Sequence, residues 1–228
     1  MADFSVFDIA GPIMIGPSSS HTAGALKLGL TSRHIFGSQP KQAIFNLHGS
    51  FAQVYAGHAT DRALLGGMLG FPTDDPRIKS AFDEAKTYQL DYDFPKINLG
   101  KEAHANTVKI VMTDDQDQIT VIGESIGGGM INVSKIDQFQ VRLPCSLART
   151  FVLIIWHNHA ADFLDRIQNF IFRSGVELND LQTHRDPDNI DSALTIISTL
   201  EAIPSEIVET IKAQPEIFKV RVLDRIPV

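Results

Sequence analysis

The sequence predicts an α+β fold with two domains, a mixed α/β domain over residues 1–146 and a βαββαβ domain over residues 150–226. The first part of the chain is rich in glycine, serine and histidine and has many short turns, whereas the second part consists of regularly alternating elements. The segment between them, LPCSLART, contains a proline and shows no strong periodicity, which is typical of a short linker. A length of 228 residues also suits one large domain or two small ones.

The second part alternates strand and helix signals. Residues 151–156 are a continuous apolar run, which indicates a buried strand. Apolar residues then recur at helical spacing until Gly175, which favours a helix with a glycine C-terminal cap. We expect strands over 176–183 and 193–199 with the turn HRDPDN between them, a helix capped by Ser205, and a last strand in which Phe218, Val220 and Val222 alternate with Lys219 and Arg221. This order predicts the ferredoxin-like arrangement.

The first part mixes helices with antiparallel hairpins. We expect helices over 22–36, 60–69 and 76–88, a strand over 43–47, a hairpin from 108–112 and 119–123, a glycine turn over 127–129, and strands over 130–134 and 138–143. The sequence contains no internal repeat, so this mixture predicts an α+β domain and not a repeat architecture.

The charge balance excludes several classes of function. The chain carries 20 basic and 27 acidic residues, a net charge of −7, without the basic patch that binds nucleic acid or an anionic membrane. No apolar run reaches the roughly 18 residues of a membrane span. The N-terminal MADFSVFD lacks the basic and apolar regions of a signal peptide. We therefore expect a cytoplasmic protein that binds neither nucleic acid nor membrane.

A single cysteine, Cys145, limits the metal chemistry of the chain. One thiol forms no internal disulfide and holds no zinc knuckle or iron–sulfur cluster alone. Any metal must then use histidine and carboxylate ligands or be held by another chain. His157 and His159 suggest a metal pair, although a position after a strand and facing a loop favours a structural role for both.

The densest polar segment is GPSSSHTAG, over residues 16–24, just before a predicted helix. Its hydroxyls and the free amides of the first helical turn attract an anion such as a substrate carboxylate. His21 would then reach the bound molecule, and an imidazole suits proton transfer at neutral pH. The alternative is a serine-rich turn with an N-cap and an exposed histidine.

Three further clusters offer polar groups. In GSF and GHATD, Thr60 or Asp61 is expected to cap a helix, and His58 either joins a site or hydrogen-bonds the turn. In HANT, Asn106 offers directional hydrogen bonds. In SIGGG, the glycines over 127–129 permit either close approach of a ligand or a tight hairpin.

Together, GPIMIGPSSSHTAGA, GSFAQVYAGHATDRALLGGMLG and ESIGGGMI resemble the beta chain of the iron–sulfur-dependent bacterial L-serine dehydratases. The resemblance covers residues 1 to about 143 and implies a fold similar to the allosteric substrate-binding domain of some phosphoglycerate dehydrogenases. It also implies conversion of L-serine to pyruvate and ammonia. A [4Fe–4S] cluster, ligated by a partner alpha subunit and not by this chain, would act on the leaving hydroxyl.

The resemblance also implies roles for individual residues. His21 is the candidate for proton transfer, and the substrate-binding candidates are Ser19, Ser20, Thr22, His104, Asn106, Ser125, Gly127 and Gly128. Thr22 and the two serines would fix the substrate carboxylate or order the loop. Ala105 stands where the family usually has a proline.

The remaining residues are similar to an ACT domain. Asp162 stands near the start of its first helix, where ligand-binding ACT domains commonly have glycine, and its carboxylate would repel that of an amino acid. This domain is therefore expected to form a homodimer instead of sensing serine. The alternative function is a stand-alone amino-acid-binding regulator without catalysis. A hydrolase that uses Ser20 and His21 is disfavoured, because adjacent residues seldom present nucleophile and base to each other.

Overall fold

The computed structural model describes residue 16, residues 18–144 and residues 150–224. They form two compact units, one made chiefly of residues before 138 and the other chiefly of residues from 150 onward. Each unit combines helices with one largely antiparallel sheet, so the α+β class is confirmed. The expected linker residues 145–149, including Cys145, lie outside the described residues.

The first unit is a six-stranded sheet with helices packed on it. Its elements are a π-helical turn (Ser19–Gly24), α1 (Ala25–Phe36), β1 (Gln42–Leu47), α2 (Gly49–Val54), α3 (Thr60–Met68), a 3₁₀ helix (Pro76–Ser80), α4 (Ala81–Thr87), β2 (Asp91–Asp93), β3 (Thr107–Thr113), β4 (Gln118–Gly127), β5 (Met130–Ile136) and β6 (Phe139–Pro144). The strand order is β2-β1-β3-β4-β5-β6, with β1 parallel to β2 and antiparallel to β3. Helix α1 packs against α3 and against β4, which places its N-terminal turn beside the sheet.

The structure adds detail that the sequence pattern did not reveal. The first helix begins at Ser19 with a π-helical turn, and the helix expected over 76–88 divides into a 3₁₀ helix and α4. Helix α2 and strand β2 were not predicted, because six and three residues are too short to produce a periodic pattern. No helix in the described part of the chain combines the length and apolar composition needed to cross a bilayer.

The second unit has the βαββαβ element order that the sequence predicts. Its elements are β7 (Phe151–Asn158), α5 (Phe163–Arg173), β8 (Leu178–Arg185), β9 (Ser192–Thr199), α6 (Ser205–Lys212) and β10 (Ile217–Leu223). The sheet is antiparallel in the order β10-β7-β9-β8. Six consecutive residues of β7 are buried, which agrees with a continuous apolar run. Helix α5 ends before Gly175, whose positive φ is the expected helix-terminating conformation.

Two details of this unit were predicted wrongly. Ser205 does not cap α6: it is the first helical residue, Pro204 precedes it, and no side chain caps the helix. In β10, Phe218 is 57% exposed and Val222 is 42% exposed, and of the three expected inward residues only Val220 is buried. A shift of register between Ile217 and Lys219 breaks the alternation, so that Ile217, not Phe218, packs against the core.

Candidate functional site

The π-helical turn carries the polar segment that the sequence singled out. Ser18 precedes the turn, and its Oγ accepts a hydrogen bond from the His21 amide at 3.1 Å. The Thr22 amide donates to the Ser18 carbonyl oxygen at 2.9 Å. The expected serine cap is therefore present. Isolated π-helical turns are rare and recur at functional sites, which directs attention to the side chains presented here.

The His21 imidazole is held by residues of the second polar cluster. Its Nε2 lies 3.0 Å from Ser50 Oγ on α2. Its ring makes an edge contact with Phe51, at 5.5 Å between centroids, and lies 5.1 Å from the His58 ring. From the sequence, Ser50 and His58 belonged to a cluster separate from the one that contains His21. The structure brings both against His21.

Thr22 joins the same two clusters through the backbone. Its side chain is buried, and its Oγ1 donates to the His58 carbonyl oxygen at 3.1 Å. Of the two roles expected for the turn hydroxyls, this geometry matches ordering of the loop. Ser19 and Ser20 are partly exposed, and their role toward substrate stays a prediction.

The surroundings of His21 favour the neutral imidazole. Partial burial lowers the pKa of His21 below its usual range, and the neighbouring His58 lowers it further. Burial disfavours the charged form because the imidazolium loses hydration, and a second histidine adds repulsion between like charges. His21 is therefore mainly neutral at pH 7 and able to accept a proton.

The third and fourth clusters contact each other. The Ser125 amide donates to the Asn106 carbonyl oxygen at 3.0 Å, and Asn106 Nδ2 lies 3.4 Å from the Ser125 carbonyl oxygen. His104 is exposed, and its Nδ1 accepts from the Asn106 amide at 3.2 Å. The segment HANT thus lies beside β4 where the strand approaches its glycine turn.

Ser125 connects this pair of clusters to the π-helical turn. Its side chain is fully buried, and its Oγ has no hydrogen-bond partner in the described structure. A Cβ placed on Gly24 would lie 2.1 Å from that Oγ, so only glycine permits the turn to approach β4 so closely. The substrate-binding role expected for Ser125 stays a prediction, and its observed neighbour is the helix backbone.

Gly127 and Gly128 adopt positive φ at the turn between β4 and β5, which is the hairpin alternative. A Cβ on Gly127 would meet no described atom within 4 Å. Gly127 is therefore needed for the backbone conformation of the turn, and not for close packing against a neighbour. Its expected role toward a ligand stays a prediction.

Two further expectations were wrong. Neither Thr60 nor Asp61 caps α3: the helix follows Ala59 and has no side-chain cap. His157 does not face a loop. It is buried, its Nε2 lies 2.8 Å from Thr195 Oγ1, and its ring stacks on Phe163 at 3.7 Å.

The contacts with Thr195 and Phe163 give His157 a structural role in the core, so it does not form a metal pair with His159. Among the described residues, no group of three or more histidine, cysteine, aspartate or glutamate side chains is arranged to hold a metal ion.

Comparison with known proteins bears on what the site does. Residues 5–137 match the family described as Serine dehydratase beta chain. A probable L-serine dehydratase, beta chain, of Bacillus subtilis is 37% identical over 216 residues, which cover 95% of this chain and 96% of that protein. An L-serine dehydratase, beta chain, of Peptoniphilus asaccharolyticus is 50% identical over 138 residues, 60% of this chain and 62% of that protein.

A longer protein, L-serine dehydratase 2 of Escherichia coli, is 31% identical over 151 residues, which cover 56% of this chain but only 33% of that protein. Residues 5–137, which match the family, include the π-helical turn, α2, β3 and β4 and so contain all four polar clusters. The chain belongs to the serine dehydratase beta chain family and is an enzyme subunit.

Proposed function

We propose that this chain is the beta subunit of an L-serine dehydratase, which converts L-serine to pyruvate and ammonia together with an alpha subunit. The observation that carries the proposal is the position of the His21 imidazole, which a serine-rich turn presents and which Ser50 and His58 contact. The printed names of the relatives support the substrate, and their designation as beta chains supports an alpha partner.

The reaction removes the α-proton of serine and expels the β-hydroxyl as water. The hydroxyls of Ser19 and Ser20 bind the substrate carboxylate. His21 exchanges a proton with the substrate, because a neutral imidazole accepts it without first losing one. Thr22 holds the turn through its bond to His58. His104 and Asn106 bind the substrate from the neighbouring segment, next to Ser125, Gly127 and Gly128.

The residues of this chain do not fit an iron–sulfur cluster of their own. A [4Fe–4S] cluster is held by several cysteine thiolates, and the sequence contains one cysteine. Among the described residues, no group of three or more histidine, cysteine, aspartate or glutamate side chains is placed to hold a metal ion. We therefore assign the [4Fe–4S] cluster of the proposed enzyme to its alpha subunit.

The second unit is proposed as an ACT-like domain that forms a homodimer and does not sense serine. Asp162 precedes α5 and forms an ion pair with Arg166, which also contacts Glu216 Oε1 at 2.5 Å. A hydrogen bond to Arg166 lowers the pKa of the Asp162 carboxyl, which keeps it charged. An anionic, engaged side chain at this position supports the absence of a carboxylate ligand.

Reconstitution with the alpha partner under anaerobic conditions tests the proposal. The isolated chain should be colourless and inactive, and the complex should form pyruvate from L-serine. His21→Ala and His21→Gln should each lower kcat by about 10²–10⁴-fold, the contribution typical of a general acid or base. His159→Ala is the matched control, since His159 is an exposed histidine of the second unit. Full turnover by both His21 variants would remove His21 from the mechanism.

Calorimetry on the isolated chain separates the alternative function. A stand-alone regulator should bind L-serine with submicromolar affinity in the absence of any partner. The beta-subunit proposal expects no such binding, because the site is completed only in the complex.

A further inference from the structure

Ser50 Oγ lies 3.0 Å from Nε2 of His21. Within the described structure, Nδ1 of the same ring has no hydrogen-bond partner. Nδ1 is therefore the nitrogen left to exchange a proton with a substrate. A neutral imidazole carries one proton, so a lone pair on Nδ1 requires the proton to be on Nε2, which then donates to Ser50.

We propose that Ser50 is a positioning residue of this site. Its hydroxyl accepts the Nε2–H of His21, fixes the orientation of the ring and keeps the basic lone pair on Nδ1. The proposal rests on the proposed function, because the residue acts only through His21. It predicts that neutral His21 carries its proton on Nε2 and that the short helix α2 holds the Ser50 hydroxyl beside the ring.

The backbone around Ser50 holds the hydroxyl in place. The Ala105 carbonyl oxygen accepts from the Ser50 amide at 2.7 Å and lies 3.4 Å from the Phe51 nitrogen. Gly49 has a φ of +56°, and a Cβ there would lie 2.5 Å from the same oxygen. The segment that carries His104 therefore fixes the start of α2, and through it the position of Ser50.

The other ring contacts of His21 do not select a nitrogen. Phe51 meets the ring by an edge contact, and the His58 ring is inclined at 38° to it. These contacts restrict the ring position, but neither is a hydrogen bond to a ring nitrogen. In the described structure only the Ser50 hydroxyl bonds one ring nitrogen and so distinguishes the two tautomers.

Nuclear magnetic resonance of histidine-labelled full-length chain tests the contact directly. In the wild type, the His21 ring shifts at pH above the titration should report the Nε2–H tautomer. Ser50→Ala should give a mixture of tautomers. It should also move the His21 titration to lower pH by about 0.7 pH unit, because the serine oxygen stabilises the imidazolium more than the neutral ring.

Ser50→Thr keeps the hydroxyl and should retain the wild-type tautomer. Ser80→Ala, at an exposed serine whose Oγ bonds the Arg77 carbonyl oxygen, is the control and should change neither property. An Nδ1–H tautomer in the wild type would overturn the proposal without any variant. So would an unchanged titration in a folded Ser50→Ala chain.

Kinetics of the reconstituted complex supply a second readout. Ser50→Ala should lower kcat by about 10–100-fold with KM little changed, as expected for a misplaced proton acceptor, and Ser50→Thr should restore most of it. Equal losses in both variants would overturn the role of the hydroxyl. An inactive wild-type complex would instead refute the proposed dehydratase function, and the spectra of the isolated chain would still decide the Ser50 contact.

Discussion

At the residue scale, two contacts fix the position of His21, one with a residue nearby in the sequence and one with a distant residue. The serine cap and the candidate histidine follow from local order, because Ser18 and His21 are three residues apart. The contact between His21 and Ser50 joins residues 29 positions apart. Helix α2, which carries Ser50, has six residues and is too short to be predicted from a periodic pattern. The tautomer of a histidine depends on such a distant partner, so it was not predictable from the sequence.

His157 carries a prediction about stability and pH. Burial lowers the pKa of His157 below its usual range, and the same cause lowers the pKa of His184. The unfolded chain therefore takes up the proton first as the pH falls below about 6.5. The contribution of the two neutral histidines to the free energy of unfolding is therefore complete above that pH. It decreases as the pH falls toward their lower pKa in the folded state. The free energy of unfolding in urea should fall between pH 7.5 and pH 5.

The variant His157→Gln should weaken this pH dependence, although it also removes the ring that stacks on Phe163. The comparison is therefore between slopes and not between absolute stabilities. Asn179→Ala, at an exposed side chain that does not titrate, should leave the slope unchanged. Identical slopes in wild type and His157→Gln would show that the buried imidazole does not titrate differently in the two states.

At the element scale, the π-helical turn is the main departure from the sequence prediction. The pattern indicates a helix over residues 22–36 and a serine-rich cap, and both are observed with an earlier start. The π-helical turn contacts β4, where Gly24 meets Ser125 about a hundred positions away along the chain. Helical periodicity contains no information about that contact, so the exact turn geometry could not be derived from it.

Gly24→Ala tests this contact. The added methyl group would lie 2.1 Å from Ser125 Oγ and 2.8 Å from its Cβ in a fully buried place. Overpacking of this kind typically destabilises a protein by about 1–3 kcal/mol. We expect a lower melting temperature of the chain. We also expect reduced dehydratase activity of the complex, because the shifted turn carries His21.

A double-mutant cycle identifies the cause. Ser125→Gly removes both clashing atoms, so Gly24→Ala should be much less harmful in that background, and the two changes should be non-additive. Gly57→Ala is the control, because its Cβ would meet only the Val54 carbonyl oxygen at an ordinary 3.7 Å. Additive effects would mean that the turn and β4 are not held by this contact.

At the scale of the whole molecule, the order of elements was more predictable than their roles. The βαββαβ order of the second unit follows from hydrophobic pattern, glycine and proline positions alone. In the first unit the polar clusters are dispersed over more than a hundred residues, and tertiary contacts of the helices and the sheet bring them together. The proposed function was therefore inferred from the motifs shared with the family and from tertiary contacts, and not from periodicity.

The single cysteine gives a prediction for the assembled enzyme. Cys145→Ser should leave the iron content and the kcat of the complex unchanged, because a cluster that needs several thiolates is assigned to the alpha subunit. The isolated wild-type chain should retain no iron after anaerobic reconstitution, measured as iron per chain and by visible absorption. Loss of iron from the variant complex would place a ligand on this chain, and a coloured isolated chain would refute the assignment. The same measurement on wild-type complex, run in parallel, guards against a reconstitution that failed for other reasons.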